Sequence, residues 1–186
     1  MATVFVVSGP SGAGKGTIIA LVLATLDGLT RAVSATTRSP RADEKDGVHY
    51  HFFDRREFER RVEAGAFLEW VEYGGNLYGT LRSDVEGRLS EGYDVILEIE
   101  LRGARAVRKA MPEAAFVFIA PPSVAELAER LRRRATDSSS AIAIRMAIAE
   151  TELAAADEFD LVVVNDTAER AALEVAGFVT ERRKGA

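Results

Sequence analysis

The pattern of apolar and polar positions along the chain predicts strands that alternate with helices. The β-branched and aromatic run at residues 4–7 ends at a glycine, which is typical of a buried parallel strand. A helix is predicted from residue 15 to 26, and its apolar stripe consists of Ile18, Ile19, Val22 and Leu23. The later elements are helices at 81–89, 104–109 and 124–133, strands at 95–99, 116–120 and 161–164, an Ala-rich helix after the polar break at 137–140, and a terminal helix. This alternation predicts an α/β fold whose mostly parallel sheet is covered on both faces.

One section does not follow this alternation. Short strands are predicted at residues 31–35, 49–53 and 67–73, with a polar loop at 36–47 and a Gly-Gly-Asn turn after residue 73. Asp54 and Glu57 form a capping-box-like start for a helix that runs to residue 64. The section is therefore predicted to be a β-rich lobe inserted into the parallel core.

Composition narrows the possible classes of protein. A chain of 186 residues fits one compact unit with small attached lobes. The 29 acidic and 24 basic residues give a net charge of −5, which argues against a general nucleic-acid surface. The absence of cysteine excludes disulfides and thiolate metal sites. The chain starts without a signal-peptide pattern and has no apolar run of about 18 residues, so we expect a cytoplasmic protein that does not bind membranes.

A glycine-rich loop follows the first predicted strand and opens the first helix. It consists of Gly9, Pro10, Ser11, Gly12, Ala13, Gly14 and Lys15. Backbone N–H groups at this spacing can surround a phosphate, the helix N-terminus adds partial positive charge, and Lys15 would reach the β- and γ-phosphates. The Ser or Thr that usually follows the lysine is replaced by Gly16, with Thr17 next. The alternative is a glycine-rich turn without a ligand, which the strand-before, helix-after context disfavours.

Three carboxylates stand at unusual positions. Glu98 and Glu100 lie two residues apart at the carboxyl end of an apolar strand, the edge where α/β sheets bind ligands. The alternative is that the strand has ended and both are solvated. Period two puts Glu69 on one face with Phe67, Val71 and Tyr73, where a bare carboxylate is costly to bury. A ligand that donates two N–H groups, as guanine can, would offset that cost; an exposed edge strand is the alternative.

Several arginines and tyrosines could bind phosphate. Arg38 and Arg41 lie in the polar loop, and each presents a planar fork that suits a phosphate. Residues 130–134 hold four arginines, and Arg145 lies on the next helix. These arginines fit a lid that closes over a transferring phosphoryl group, although a helix C-terminus also favours cations. The two histidines, His49 and His51, have no cysteine or third histidine beside them and are interpreted as structural.

Taken together, these segments resemble the guanylate kinase family nearly from end to end. The segments that carry the resemblance are SGPSGAGK at 8–15, SATTRSPR at 34–41, FLEW at 67–70, NLYGT at 76–80, IAPPS at 119–123 and VVND at 163–166. The second segment and the Tyr-Gly-Thr at 78–80 are the most specific of these, because glycine loops occur in many nucleotide-binding proteins. The resemblance implies a P-loop three-layer core (1–33, 81–125 and 155–186), a GMP-binding lobe (34–80) and a helical lid (126–154).

The resemblance also implies a role for individual residues. By this resemblance, the ATP site of the protein comprises Gly9, Pro10, Ser11, Gly12, Ala13, Gly14, Lys15, Gly16, Thr17 and, near adenine, Asn165. Ser34, Glu69, Thr80 and Glu98 would contact guanine, and Arg38, Arg41, Tyr50 and Tyr78 would hold the GMP phosphate. Lys15, Arg134 and Arg145 would be catalytic. Mg²⁺ would be held mainly by phosphates and water, near Thr17 and Glu100. Two departures from the family pattern are Ala135 for a lid glycine and Arg102 for a glutamine.

The implied reaction is the Mg-dependent transfer of the ATP γ-phosphoryl group to GMP, giving ADP and GDP in purine nucleotide metabolism and GMP recycling. The GMP phosphate is already an ionised nucleophile, so positioning and charge neutralisation are expected to provide the catalysis. Two alternatives remain open. One is a non-catalytic module of the same fold that binds phosphopeptides; the other is a kinase for a different monophosphate, against which Glu69 argues because adenine has no N1–H.

Overall fold

The computed structural model of the protein describes residues 2–133 and 139–185. The strands are β1 (Val4–Ser8), β2 (Leu29–Arg31), β3 (Ser34–Thr36), β4 (His51–Phe52), β5 (Phe67–Tyr73), β6 (Asn76–Leu81), β7 (Asp94–Glu98), β8 (Ala115–Ala120) and β9 (Leu161–Val164). The helices are α1 (Lys15–Thr25), α2 (Arg55–Glu63), α3 (Arg82–Ser90), α4 (Leu101–Ala110), α5 (Val124–Arg133), α6 (Ser139–Ala154) and α7 (Ala168–Gly185), with a short 3₁₀ turn at Ala156–Glu158.

The central sheet has five parallel strands in the order β2-β7-β1-β8-β9. Apolar side chains of alternating positions fill the cores on its two faces. On one face Phe5, Val7 and Ile96 pack with α1 and α7; on the other Val6 and Leu97 pack with α4 and Val85 of α3. All five strands run in the same direction, so their carboxyl ends meet at one edge, and the glycine loop leaves the middle strand there. The α/β fold class with a P-loop-type core is confirmed.

A second sheet of four strands, in the order β4-β3-β6-β5, lies in residues 34–81. Strands β5 and β6 form an antiparallel hairpin whose turn, Gly74 and Gly75, has positive φ at both positions. Phe58 of α2 stacks on Phe67 at 4.3 Å and fills the small core of this sheet. Asp54 caps α2 by accepting from the N–H of Glu57 at 2.7 Å, as the sequence predicts. Among the described helices none has the length and apolar character needed to cross a membrane.

The structure differs from the sequence prediction at three places in this region. The single strand predicted at 31–35 is two strands, because the chain leaves the central sheet after Arg31 and joins the second sheet at Ser34. The sequence pattern predicts a Gly-Gly-Asn turn after residue 73 but no strand beyond it, whereas the structure has strand β6 there as the partner of β5. A bulge between Phe67 and Glu69 breaks the period of two, so Phe67 faces the small core while Glu69 faces the opposite side.

Helices α5 and α6 pack against each other through Leu127, Leu131, Met146 and Ala149. They are the helical segment predicted to form a lid. Two positions that the sequence analysis singled out, Arg134 and Ala135, lie outside the described residues.

Candidate active site

A cleft of about 540 Å³ lies between the carboxyl edge of the central sheet and the second sheet. Its walls come from both sides of the molecule. Ser11, Gly12, Gly14, Lys15, Gly16 and Thr17 line one wall, Ser34, Arg41, Tyr50, Glu69 and Tyr78 line the other, and Glu98, Glu100 and Arg145 lie between them. The glycine loop and the Arg41 side of the second sheet therefore face the same space, which is the arrangement that transfer between two phosphates requires.

The glycine loop is a tight turn closed by a hydrogen bond from Ala13 N–H to Pro10 O at 3.1 Å. Gly14 begins α1 with φ 92°, a left-handed conformation that favours glycine. The first turn of α1 carries no acidic side chain, so its N–H groups and its positive dipole end remain available to an anion. Lys15 is buried, and its Nζ donates to Gly9 O at 2.5 Å and Pro10 O at 3.3 Å. The ammonium group is thus held inside the loop.

Asn165, at the end of β9, supports the loop from behind. Its side chain is buried and its Nδ2 donates to Ala13 O at 2.6 Å. A Cβ added at Gly14 would lie 2.3 Å from that Nδ2, so the loop and the amide fit against each other without space for a side chain. Arg130 of α5 donates to the backbone carbonyl of Asn165 at 3.1 Å. Asn165 therefore joins the loop to α5, and the adenine contact implied by the resemblance remains a prediction.

Since the resemblance implies that this loop binds ATP, we expect the variant Asn165→Ala to raise KM for ATP about tenfold and to lower the free energy of unfolding by about 1–2 kcal/mol, because a buried carbonyl loses its donor. Steady-state kinetics and urea unfolding would measure both changes. Asn76→Ala is the matched control, since the side chain of Asn76 donates at the surface, to Gly74 O at 3.3 Å. An unchanged KM for ATP together with unchanged stability would show that the loop does not need this support.

The carboxylates between the two walls have different surroundings. Glu98 lies 3.5 Å from Arg31, and a Cβ added at Gly16 would lie 3.7 and 3.9 Å from the two oxygens of Glu98. The carboxylate of Glu98 thus lies beside the position where a serine or threonine would follow Lys15. Glu152 of α6 is buried and lines a small pocket together with Glu100 and Ser11. Burial, followed by the interaction with Glu100, raises the pKa of Glu152.

Three polar residues form a row across the second sheet. The strand register pairs Ser34 with Thr80 and Thr80 with Glu69. Thr80 Oγ1 donates to Glu69 Oε1 at 2.8 Å, and only 5% of Glu69 is exposed. Burial raises the pKa of Glu69 to about 7, and the bonds from Thr80 partly oppose that rise. A buried carboxylate with one oxygen held by a neighbour is suited to a ligand that brings N–H donors.

The part of the second sheet around Tyr50 contains aromatic rings and guanidinium groups. Tyr50 and Tyr78 meet edge to face at 6.3 Å, and Arg38 lies 5.6 Å above the Tyr50 ring. Arg38 forms a bidentate pair with Glu44, with N–O distances of 2.9 and 2.8 Å. The pair with Arg38 lowers the pKa of Glu44 to about 2. A hydrogen bond from the Arg41 backbone N–H to Glu44 Oε2, at 2.8 Å, also lowers this pKa. Burial raises the pKa of the Tyr50 hydroxyl.

A sequence profile described as guanylate kinase matches residues 1–182. The chain belongs to the guanylate kinase family. It is 51% identical over 177 residues to the guanylate kinase of a Synechococcus species, with 94% of this chain and 97% of that protein covered. The guanylate kinase of Rubrobacter xylanophilus is 54% identical over 170 residues, covering 91% and 89% of the two chains. The crystal structure of guanylate kinase from Anaplasma phagocytophilum matches with a TM-score of 0.78 at 31% identity, covering 97% of this chain and 85% of that one.

Members of the guanylate kinase family are nucleoside monophosphate kinases, so the chain is assigned to the phosphotransferases. The relatives named above are all called kinases, and none of the names supports the non-catalytic binding module. Most of the residues predicted to bind nucleotide line the cleft of this guanylate kinase family member. Those that lie elsewhere are Gly9 and Ala13, which form the loop backbone, and Thr80, Arg38 and Asn165, which contact lining residues or the loop.

Sequence reasoning missed four residues of this site. Arg31 and Glu44 form ion pairs with predicted residues, Glu152 reaches the cleft from α6, and Gly103 lies against Glu69. These residues belong to the site because of contacts between segments that are distant in sequence or, for Glu44, because of a loop position that matches no motif. No local sequence pattern identifies such contacts. Only Gly103 left a signal, because a glycine inside a predicted helix is unfavourable and suggests a packing reason.

Proposed function

We propose that the protein is an ATP:GMP phosphotransferase that moves the γ-phosphoryl group of ATP to GMP and releases ADP and GDP. The observation that carries the proposal is the single cleft whose one wall is a phosphate loop with Lys15 and whose other wall contains Arg41, Tyr50, Tyr78 and Glu69. Two anion sites that face each other suit the transfer of phosphate between two nucleotides better than the binding of one.

The ATP side of the proposal consists of residues 9–17. Main-chain N–H groups of the loop and the start of α1 would surround the β-phosphate, and Lys15 would turn from the loop carbonyls to the β- and γ-oxygens. Arg145, which lines the cleft, would neutralise charge on the transferring group, together with Arg134. Asn165 would support the loop and lie near adenine.

The GMP side combines base recognition with phosphate binding. Glu69 would accept from the guanine N1–H and the amino group, with Ser34, Thr80 and Glu98 completing the edge. Arg41, Tyr50 and Tyr78 would hold the phosphate, and Arg38 would join them from its pair with Glu44. Because the acceptor is an ionised phosphate oxygen, no side chain is needed to remove a proton.

Magnesium is the divalent ion that we propose for this site, as kinases that use ATP generally need one. The oxygen donors Thr17, Glu98 and Glu100 all line the cleft, and such hard ligands fit Mg²⁺. The Glu98 carboxylate beside Gly16 supplies oxygens where the loop lacks a hydroxyl. When bound, the ion would supply positive charge that offsets the negative charge of the phosphates. Thr17 and Glu100 remain the protein groups proposed to lie nearest to the ion and its water.

We also propose that residues 34–80 and 126–154 move as a GMP-binding lobe and a lid over a core of residues 1–33, 81–125 and 155–186. Closure would exclude water, which otherwise would accept the phosphoryl group. We expect dGMP to be accepted and nucleic acid not to bind, in keeping with the net charge of −5. A cytoplasmic location, where ATP and GMP are available, belongs to the same proposal.

A coupled assay of ADP release with GMP, dGMP, AMP, UMP and CMP as acceptors tests the activity. The proposal expects GMP to be the best acceptor, by at least about 10³-fold in kcat/KM over AMP, since a site built for N–H donors rejects a base that lacks them. Preference for AMP or UMP would overturn the substrate assignment. Tight GMP binding without turnover would favour the non-catalytic module.

The raised pKa of Glu69 predicts how GMP binding depends on pH. Guanine N–H groups need the ionised carboxylate, and the pKa of Glu69 is about 7. We therefore expect KM for GMP to fall as pH rises from 6 to 8, by several-fold. The GMP phosphate also titrates near pH 6. The dependence of KM for GMP on pH in the Glu69→Gln variant therefore serves as the reference, because that variant lacks the carboxylate. A wild-type profile parallel to that of the variant would exclude this role for Glu69.

A further inference from the structure

Gly103 is a buried glycine in the first turn of α4, one of the helices that cover the central sheet. Glycine weakens a helix interior relative to alanine, and Gly103 is not among the glycines with positive φ. The backbone at this position would therefore accept an alanine, which would strengthen the helix. The reason for the glycine must lie in what surrounds it.

The close neighbour of Gly103 is the carboxylate of Glu69 on β5. A Cβ added at Gly103 would lie 2.7 Å from Glu69 Oε2 and 3.2 Å from Glu69 Cδ. The first of these distances is shorter than van der Waals contact allows, so the carboxylate would have to move. Its freedom to move is small, because Oε1 is bonded to Thr80 Oγ1 at 2.8 Å and the side chain is only 5% exposed.

We propose that Gly103 is a positioning residue for base recognition, in that its missing side chain allows the Glu69 carboxylate to lie against the first turn of α4. The inference rests on the proposed function, since Glu69 is the residue proposed to read guanine. Specificity for guanine thus depends on a residue that would not itself touch the nucleotide.

The variant Gly103→Ala tests the contact. An added methyl group would displace Oε2 from α4, and displacements of about 1 Å in a binding group can cost on the order of 10²-fold. We expect KM for GMP to rise about 10- to 100-fold while KM for ATP stays within about twofold. Gly87→Ala in α3 is the matched control, because Gly87 is also helical and none of the residues described by the structure lies within 4 Å of an added Cβ. It should leave both KM values unchanged.

A second variant separates displacement of Glu69 from general damage. In Glu69→Asp the carboxylate is on a shorter side chain, which leaves space for a methyl group at position 103. Adding Gly103→Ala to this variant should therefore change KM for GMP by less than about threefold, although the Glu69→Asp variant itself binds GMP more weakly. An equal loss in both backgrounds, or an unchanged KM for GMP in the single variant, would overturn the proposal.

Thermal unfolding without nucleotide tests the same contact independently of activity. Gly103→Ala should lower Tm in the wild-type background and raise it in the Glu69→Asp background, where only the gain in helix propensity remains. If the wild type failed to phosphorylate GMP, the proposed function would be wrong. The two Tm shifts would still show whether the Glu69 carboxylate lies against Gly103. A rise of Tm in both backgrounds would show that the carboxylate is not constrained by α4.

Discussion

The variant Lys15→Met should lower kcat by about 10³-fold, or roughly 4 kcal/mol of activation free energy, because the γ-phosphoryl group would lose the loop cation that we propose to neutralise it. Methionine keeps the length and the apolar stem of lysine, so packing at the start of α1 should change little. The side chain is buried and holds the carbonyls of Gly9 and Pro10, which the variant leaves without that donor. A coupled assay at saturating ATP and GMP measures kcat, and circular dichroism measures folding.

Lys109→Met is the matched control for this variant. Lys109 is exposed near the end of α4, outside the residues that line the cleft. Its replacement should leave kcat within about twofold, as is usual for surface substitutions away from a site. A Lys15→Met enzyme that keeps the wild-type kcat would remove Lys15 from the mechanism.

The variant Glu69→Gln should lower kcat/KM for GMP by about 10²- to 10³-fold, while KM for ATP stays the same. The amide provides one acceptor instead of two and lacks the charge that would strengthen both of the proposed hydrogen bonds to guanine. One guanine donor would then be buried without a partner, which adds to the loss. Kinetics with GMP and ATP varied separately measure the effect. An equal loss for both substrates would indicate a general structural change instead.

The same variant should be more stable than the wild type above pH 7. The pKa of Glu69 rises from its ordinary value of 4.5 to about 7, chiefly through burial. Since the folded state holds the proton more tightly than the unfolded state, the contribution of Glu69 to stability is full below about pH 4.5 and is lost as pH rises through 7. The loss is on the order of 3 kcal/mol. Urea unfolding at pH 5 and pH 8 should show this loss in the wild type and little of it in Glu69→Gln.

The opposite signs of these two effects distinguish a functional charge from a structural one. A carboxylate kept only for packing would lower stability and activity together when replaced. A carboxylate kept for a ligand lowers the stability of the free protein. It contributes favourable free energy only when the ligand supplies hydrogen-bond donors to it. If Glu69→Gln lost stability at pH 8, the interpretation of Glu69 as a base-reading residue would be contradicted.

Much of the fold could be predicted from the sequence because the central strands are buried on both faces. Continuous apolar runs such as residues 4–7 and 116–120 mark such strands, and regular helices separate them. The second sheet was harder to predict because its strands are short and pair across long sequence distances. The division of residues 31–35 between two sheets depends on two hydrogen bonds. The backbone N–H of Ala32 donates to Ile96 O, and the backbone N–H of Val33 donates to the Asp84 carboxylate. Neither contact is visible in the local sequence pattern.

The residues of the site could be predicted where a motif has a local backbone mechanism. The glycine loop is such a motif, and the structure forms it with Gly14 at positive φ beginning α1. Glu69 left a different signal, since a carboxylate on an apolar strand is unfavourable unless something binds it. The bulge after Phe67 could not be predicted, and it decides which way Glu69 faces. Residues such as Glu152 and Gly103, which are distant from the motifs in sequence, could be identified as neighbours of the site only from the folded structure.

The most direct test of two facing anion sites is the affinity of one molecule in which ATP and GMP are joined through a shared polyphosphate chain. Isothermal titration would compare it with ATP and GMP bound separately. If Lys15 and Arg41 line one cleft, as the structure has them, the joined compound should bind at least about 10²-fold more tightly than the better single nucleotide, and both Lys15→Met and Arg41→Ala should weaken it. An affinity no higher than that of the better single nucleotide would contradict the account.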